Sequence, residues 1–101
     1  MSNSALDRTD ARPPVLLDVR SSAEFAVGHI DGALHLPLDQ LQQGARQLLP
    51  DHGQPLIVYC ASGARSAFAC AVLGQMGYRQ AMNGGGMTLL AMSLERPLRS
   101  A

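Results

Sequence analysis

One cysteine in this 101-residue chain stands where a reactive thiolate is expected. An apolar run at residues 56–59 leads into Cys60, a loop of small residues follows, and this loop ends in Arg65. The apolar, alanine-rich stretch 67–76 then predicts a helix. Such an arrangement directs loop N–H groups and the positive end of a helix at the cysteine, and both lower the pKa of a thiol. We therefore predict that Cys60 is a nucleophile held in an anion-binding loop.

The length of this loop indicates which group it could hold. Tyrosine phosphatases separate the cysteine and the arginine of their phosphate loop by five residues, whereas only four residues separate Cys60 from Arg65, and position 66 is a serine. A shorter loop forms a smaller ring of N–H donors. Such a ring suits the outer sulfur of a persulfide better than a tetrahedral phosphate.

Three segments carry motifs in a fixed order along the chain. Residues 16–25 read Leu-Leu-Asp-Val-Arg-Ser-Ser-Ala-Glu-Phe, followed by Gly-His-Ile-Asp-Gly-Ala at 28–33 and Leu36-Pro37. The loop 60–65 is the second segment, and Met76-Gly-Tyr78 with Asn-Gly-Gly-Gly-Met at 83–87 and Ala91-Met92 is the third. Over residues 15–92 the chain resembles the single-domain rhodaneses, a sulfurtransferase family, and its tail is most similar to the small phage-shock-type members. It departs from many of them in having no tryptophan after the glycines, where Leu89 or Leu90 stands.

This resemblance implies an α/β fold with an open parallel sheet of four strands and helices on both faces, to which many members add a fifth, N-terminal edge strand. It implies a thiosulfate sulfurtransferase that works through a persulfide on Cys60 and needs no cofactor. The donor would be a small thiosulfate-like anion, and the acceptor would be a thiol, cyanide or a protein. The implied site residues are Cys60 as nucleophile, Ala61, Ser62, Gly63, Ala64 and Arg65 as substrate-binding residues, and Asp18, Arg20 and Ser66 as supporting residues. Ala61 and Ala64 leave the pocket mouth uncharged, so we expect modest affinity for thiosulfate and a different physiological donor.

The sequence pattern places these residues on alternating strands and helices. Strands are predicted at 15–19, 33–36, 56–59 and 79–82, with the carboxyl end of a strand presenting Cys60. Helices are predicted after a capping box at 21–24, from 38 to Pro50, over 67–76 and near 88–93. We expect Gly28 to end the first helix in a left-handed conformation. The glycines 84–86 are predicted to be a flexible link near the wall of the active site.

Several candidate residues admit a structural role beside a functional one. Arg65 either stabilises an anionic donor, which we favour, or pairs with a carboxylate beneath the loop. Asp18 and Arg20 are predicted to be a supporting ion pair, with direct substrate contact by Arg20 as the alternative. Ser62 and Ser66 either offer hydroxyl donors or cap the next helix. His29 is expected to be a hydrogen-bonded structural histidine rather than a general base.

The 67–76 helix carries small residues, Ala67, Ala71 and Gly74, on one face. They predict close approach of this helix to the sheet. Cys70, in the middle of this helix, is predicted to pack in the core. The three histidines and two cysteines lack metal-ligand spacing, so no metal site is expected.

Composition narrows the remaining classes. Residues 1–13 are predicted to be a flexible tail and residues 14–101 a single domain. Eight acidic residues balance eight basic ones, which argues against nucleic-acid or membrane binding through net charge, and we expect a monomer. Residues 1–10 lack a basic head and an apolar run of signal-peptide length, which predicts a cytoplasmic protein.

Three other functions remain open. A phosphatase or arsenate reductase is disfavoured by the loop length. A persulfide carrier would accept sulfur from another protein and turn over thiosulfate poorly. A non-catalytic interaction domain of this type would not depend on Cys60.

Overall fold

A four-stranded parallel sheet carries the candidate site. The computed structural model describes residues 12–101. Its strands are β1 (Val15–Asp18), β2 (His29–Ile30), β3 (Leu34–His35), β4 (Leu56–Cys60), β5 (Ala81–Gly86) and β6 (Leu98–Arg99). Its helices are α1 (Ser22–Val27), α2 (Leu41–Leu48, preceded by a 3-10 turn Leu38–Gln40), α3 (Ala64–Gln75) and α4 (Met87–Leu94).

The sheet has the strand order β3-β1-β4-β5, with every neighbouring pair parallel. This confirms the predicted α/β fold with four parallel strands. The two central strands, β1 and β4, end side by side, with Asp18 in register with Tyr59. The sequence did not predict the antiparallel pair of β2 with β6, because each strand is only two residues long and shows no periodicity.

Alternating side chains of the central strands build a core on each face of the sheet. On one face, Leu17, Val58 and Cys60 pack with buried residues of α2 and α3. On the other face, Leu16 and Tyr59 pack with α4 and β2. Cys60 therefore points toward α3, the helix whose first turn includes the end of the loop.

The ends of α1 combine a correct prediction with a wrong one. Ser21 accepts the Glu24 backbone N–H at 3.2 Å, and the Glu24 carboxylate accepts the Ser21 N–H at 3.0 Å, so the predicted capping box is confirmed. Gly28, however, is extended, with φ −175°, rather than left-handed. The reason is that α1 runs directly into β2 at His29, which requires extended backbone.

The orientation and start of α3 also differ from the prediction. The helix begins at Ala64 rather than at 67, and its buried residues are Ser66, Ala69 and Leu73. The small residues predicted to face the sheet, Ala67, Ala71 and Gly74, are exposed. The early start brings Ser66 against the Cys60 sulfur, and this contact fixes which face of the helix meets the sheet.

The triple glycine lies within β5 and is not a link. Strand β5 runs over 81–86 instead of the predicted 79–82, with an irregularity opposite Val58 and Tyr59. A Cβ at Gly86 would lie 2.6 Å from the Ala61 carbonyl oxygen, so the strand can pass the Cys60 loop this closely only without a side chain there. The glycines thus form one wall of the loop.

The predicted N-terminal tail lies mostly outside the described residues. Of residues 1–13, the structure describes Arg12 and Pro13. Arg12 Nη1 donates to the Asp51 carboxylate at 2.6 Å, and the Pro13 carbonyl accepts from Gln54 Nε2 at 3.1 Å. Within residues 12–101, no helix is long and apolar enough to cross a membrane.

Candidate active site

Cys60 occupies the carboxyl end of central strand β4, where open α/β sheets place their ligands. Its side chain is fully buried. The backbone N–H groups of Gly63 and Ser66 donate to Cys60 Sγ at 3.0 and 3.4 Å, and the Ser66 hydroxyl lies 3.5 Å from it. Gly63 has φ 102°, a left-handed conformation that glycine adopts without strain, and this conformation turns the loop into α3. The sulfur therefore faces N–H donors at the N-terminus of a twelve-residue helix.

This setting lowers the pKa of the Cys60 thiol. Burial alone would raise it, but hydrogen bonds from the Ser66 hydroxyl and from the backbone N–H groups of Ser66, Ser62 and Gly63 outweigh burial and bring the pKa to about 7. Near neutral pH a large share of Cys60 is therefore thiolate, which is the nucleophilic form.

Arg65 is engaged by a carboxylate. Its Nη1 and Nη2 donate to the two carboxylate oxygens of Glu24 at 2.7 and 3.0 Å. This bidentate pair is partly exposed, 40% at Arg65 and 35% at Glu24, and it joins the first turn of α3 to the first turn of α1. It lowers the pKa of Glu24 to about 2, chiefly through the Arg65 hydrogen bond and then through the Ser21 N–H. Of the two roles left open for Arg65, the structure shows the carboxylate pair, while donor binding stays a prediction.

Asp18 and Arg20 form the predicted ion pair at the end of β1. Both are buried, Arg20 Nε and Nη2 contact the Asp18 carboxylate at 2.7 to 3.1 Å, and the Arg20 backbone N–H donates to the same carboxylate at 2.9 Å. Arg20 Nη2 also donates to the Gly28 carbonyl at 2.5 Å. The pair therefore anchors the segment that carries α1, and with it Glu24, to the sheet.

Sequence reasoning missed Asn83. This side chain, in β5, accepts from the Ser66 hydroxyl at 2.6 Å and donates from Nδ2 to the Gly63 carbonyl at 3.1 Å. Its position directly after the predicted strand 79–82 and just before the triple glycine was the available signal. It also missed Glu24 as the partner of Arg65, because a capping role already accounted for that residue.

The remaining candidates take structural positions. Cys70 is partly buried against the core, as predicted, and burial raises the pKa of its thiol. His29 hydrogen-bonds the Phe25 carbonyl through Nδ1 at 2.9 Å and stacks on the Phe25 ring, which confirms its structural role. Among residues 12–101, no three His, Cys, Asp or Glu side chains are grouped so that they could hold a metal ion.

Two open grooves flank the Arg65–Glu24 pair. One, of about 600 Å³, is lined by Glu24, Met87 and Arg99, among other residues. The other, of about 470 Å³, is lined by Arg65, Phe68 and Leu38, among others. Each groove is large enough to admit a small molecule or an extended segment of a partner to the neighbourhood of the loop.

A parallel α/β sheet thus presents a buried thiol to N–H donors of the loop that leads into α3. The family model of the rhodanese-like domain matches residues 2–89, and the chain belongs to the rhodanese family of sulfurtransferases.

Similar proteins agree with this assignment. The chain is 33% identical over 76 residues to the thiosulfate sulfurtransferase PspE of Escherichia coli (strain K12). The aligned segment covers 75% of this chain and 73% of that protein. It is 39% identical over 74 residues to a sulfurtransferase of Allochromatium vinosum. The aligned segment covers 73% of this chain and 67% of that protein. The solved structure of a rhodanese with anions from E. coli superposes with a TM-score of 0.77 at 27% identity, covering 88% of this chain and all of that one.

Proposed function

We propose that this protein transfers sulfane sulfur from thiosulfate or a similar donor to a thiophilic acceptor through a persulfide on Cys60. One observation carries the proposal. A fully buried sulfur accepts backbone N–H bonds from Gly63 and Ser66 at a helix N-terminus, and the pKa of its thiol falls to about 7. Burial without such donors would favour the neutral thiol, as it does at Cys70.

The chemistry is a double displacement. The Cys60 thiolate attacks the outer sulfur of thiosulfate, a Sγ–S bond forms, the S–SO₃ bond breaks, and its electron pair leaves with sulfite. The acceptor then attacks the outer sulfur of the persulfide. Cyanide leaves as thiocyanate, a thiol acceptor becomes a persulfide, and Cys60 returns to its thiolate form. No external oxidant or reductant is consumed.

The loop's role is to stabilise negative charge on sulfur before and after the transfer. Its N–H groups are held in place by the backbone, so they need no reorganisation when the persulfide anion forms. The exposed residues Ala61, Ser62 and Ala64 surround this position and would contact the donor. They contribute no charge, so donor binding would depend on N–H groups and on Arg65.

The proposed role of Arg65 in donor binding competes with Glu24. As long as the carboxylate holds both guanidinium nitrogens, Arg65 offers an anion little of its charge. In kinetics with thiosulfate, Glu24→Gln should lower KM, because Arg65 is released, and Arg65→Gln should raise KM. If neither variant changes KM, Arg65 is a structural residue only.

The direct test is thiocyanate formation from thiosulfate and cyanide. The wild type and a Cys70→Ser variant should both turn over, whereas Cys60→Ser should be inactive. An aryl phosphate should not be hydrolysed by any of the three proteins. Activity that survives in Cys60→Ser would contradict the proposal, and phosphate release that depends on Cys60 would favour the phosphatase class instead.

A second function, persulfide carriage, is favoured by the uncharged mouth and by the occupied Arg65. In that case the donor is a persulfide on another protein, which requires less positive charge than the dianion thiosulfate. Rapid loading of Cys60 by a protein persulfide, together with slow turnover of thiosulfate, would identify the carrier.

A further inference from the structure

The Ser66 hydroxyl lies among three groups that can accept its proton. Its Oγ is 2.6 Å from Asn83 Oδ1, 3.1 Å from the Gly63 carbonyl oxygen and 3.5 Å from Cys60 Sγ. Ser66 is fully buried, whereas Asn83 is exposed. Because a hydroxyl carries one proton, Ser66 can make a full donor bond to only one of these groups at a time.

The other partners of Asn83 fix which way its amide points. The Gly85 backbone N–H, a donor, lies 2.9 Å from Oδ1, and the Gly63 carbonyl, an acceptor, lies 3.1 Å from Nδ2. Reversing the amide would set donor against donor and acceptor against acceptor. Oδ1 therefore faces Ser66. Since Oδ1 can only accept, the hydroxyl proton of Ser66 points at Asn83 in this arrangement.

This orientation has a consequence for Cys60. With its proton on the Asn83 side, Ser66 presents a lone pair to Sγ, and this suits a protonated thiol that donates its S–H. A thiolate or a persulfide anion is an acceptor and needs the same proton turned toward sulfur. Rotation about the Ser66 Cβ–Oγ bond turns this proton from Asn83 Oδ1 to the sulfur, and the 2.6 Å separation of the two oxygens then has no hydrogen bond to hold it.

We propose that Asn83 is a positioning residue whose Oδ1 accepts the hydrogen bond of the Ser66 hydroxyl while Cys60 is protonated, and that the hydroxyl donates to the sulfur instead when the sulfur becomes negative. Asn83 thus acts on sulfur through Ser66, and it competes with the thiolate for one donor. The inference rests on the proposed role of Cys60 as nucleophile.

The charged neighbours of Cys60 do not account for an influence of Asn83 on the sulfur through Ser66. Arg65 interacts electrostatically with the Cys60 thiolate, and Glu24 pairs with Arg65. Neither β5 nor α4 contains a titratable side chain. Because Asn83 is itself neutral, replacing it by another neutral residue changes no charge. The titratable side chains on the other elements around the site are Asp18 at the end of β1 and Arg20 just after it, Glu24 in α1, His35 in β3, Tyr59 in β4, and Arg65 and Cys70 in α3.

The test is the pKa of the Cys60 thiol in a double-mutant cycle, read from the pH dependence of iodoacetamide alkylation with the modified peptide identified by mass. Leucine in Asn83→Leu cannot accept the hydrogen bond of the Ser66 hydroxyl, so the hydroxyl is free to donate to the thiolate. The pKa of Cys60 should then fall by roughly half a unit to one unit, which corresponds to one neutral hydrogen bond. Ser66→Ala should raise the pKa. In the Ser66→Ala background, Asn83→Leu should have no effect.

An equal shift from Asn83→Leu with and without Ser66 would overturn the inference, and so would a rise in the pKa with Ser66 present. If the leucine variant fails to fold, Asn83→Asp replaces it. This variant keeps an acceptor facing Ser66 and should raise the pKa more in the presence of Ser66 than in its absence, and equal rises would overturn the inference.

Alkylation requires no sulfur donor, so the inference and the proposed function can fail separately. A wild-type Cys60 pKa near that of a free thiol, about 8.5, would contradict the activated nucleophile itself. A pKa near 7 without coupling between Asn83 and Ser66 would overturn only the role of Asn83.

Discussion

The two cysteines should differ in reactivity because their surroundings shift their pKa values in opposite directions. Hydrogen bonds outweigh burial at Cys60 and bring its pKa to about 7, whereas burial raises the pKa of Cys70. The alkylation rate of Cys60 should therefore rise with pH and reach half its maximum near pH 7, while Cys70 reacts slowly over the same range. Peptide mass spectrometry after timed alkylation measures both sites in one sample. Equal rates at the two sites would contradict this account.

Asp18 should matter for stability because Arg20 lies buried beside it. Asp18→Ala leaves the Arg20 guanidinium without its carboxylate in a buried position, and we expect a loss of about 3–5 kcal/mol in the free energy of unfolding. Replacing both residues with apolar ones, Asp18→Leu with Arg20→Met, should cost less, because no unpaired charge remains. Urea denaturation compares the variants. A single variant as stable as the double one would show that the pair does not anchor β1 as described.

At the level of elements, the close approach of β5 to the Cys60 loop should govern activity. Gly86 has extended backbone that alanine can adopt, but an added Cβ would lie 2.6 Å from the Ala61 carbonyl oxygen. Gly86→Ala should therefore displace the loop and lower sulfur-transfer activity by about 10- to 100-fold, as expected when a reacting group is moved by about an ångström.

Gly74 provides the matched control for this variant. It lies within α3, and a Cβ there would have no neighbour within 4 Å. Gly74→Ala should raise stability by about 0.5–1 kcal/mol and leave activity unchanged. Activity assays and thermal denaturation of both variants check the pair. Equal activity in Gly86→Ala and the wild type would show that the loop tolerates a wider gap.

Elements with strong local signals could be predicted from the sequence. The apolar strands β1 and β4 and the capping box at Ser21 were predicted because each depends on neighbouring residues. The orientation of α3 could not be predicted, since it depends on a contact between Ser66 and Cys60 across the loop. The glycines of β5 resembled a flexible link because glycine disfavours strands, and only the packing of the Ala61 carbonyl against Gly86 explains them.

The candidate site follows the same division. Cys60, its loop and the Asp18–Arg20 pair carry motifs that are local in sequence. The Arg65–Glu24 pair joins residues 41 positions apart, and the Ser66–Asn83 bond joins residues 17 positions apart. Sequence patterns in a single chain do not report such long-range contacts. These contacts nevertheless set the charge and the hydrogen bonding at the sulfur.

For the whole molecule, the two cores should unfold together because strand β4 contributes to both. Tyr78 lies in one core and Tyr59 in the other, and the chain has two tyrosines and no tryptophan. Tyr59→Phe and Tyr78→Phe therefore each leave one tyrosine that reports on one face of the sheet. In each variant, tyrosine fluorescence and far-UV circular dichroism should give the same urea midpoint. Separate midpoints would mean that one face unfolds independently.

The central claim is a persulfide on Cys60, and intact mass tests it most directly. After incubation of the reduced protein with thiosulfate, the mass should increase by one sulfur atom, about 32 Da, and cyanide should remove this increase. The Cys70→Ser variant should gain the same mass, and Cys60→Ser should gain none. An unchanged mass at a thiol shown to be reduced, or an adduct that persists in Cys60→Ser, would contradict the account.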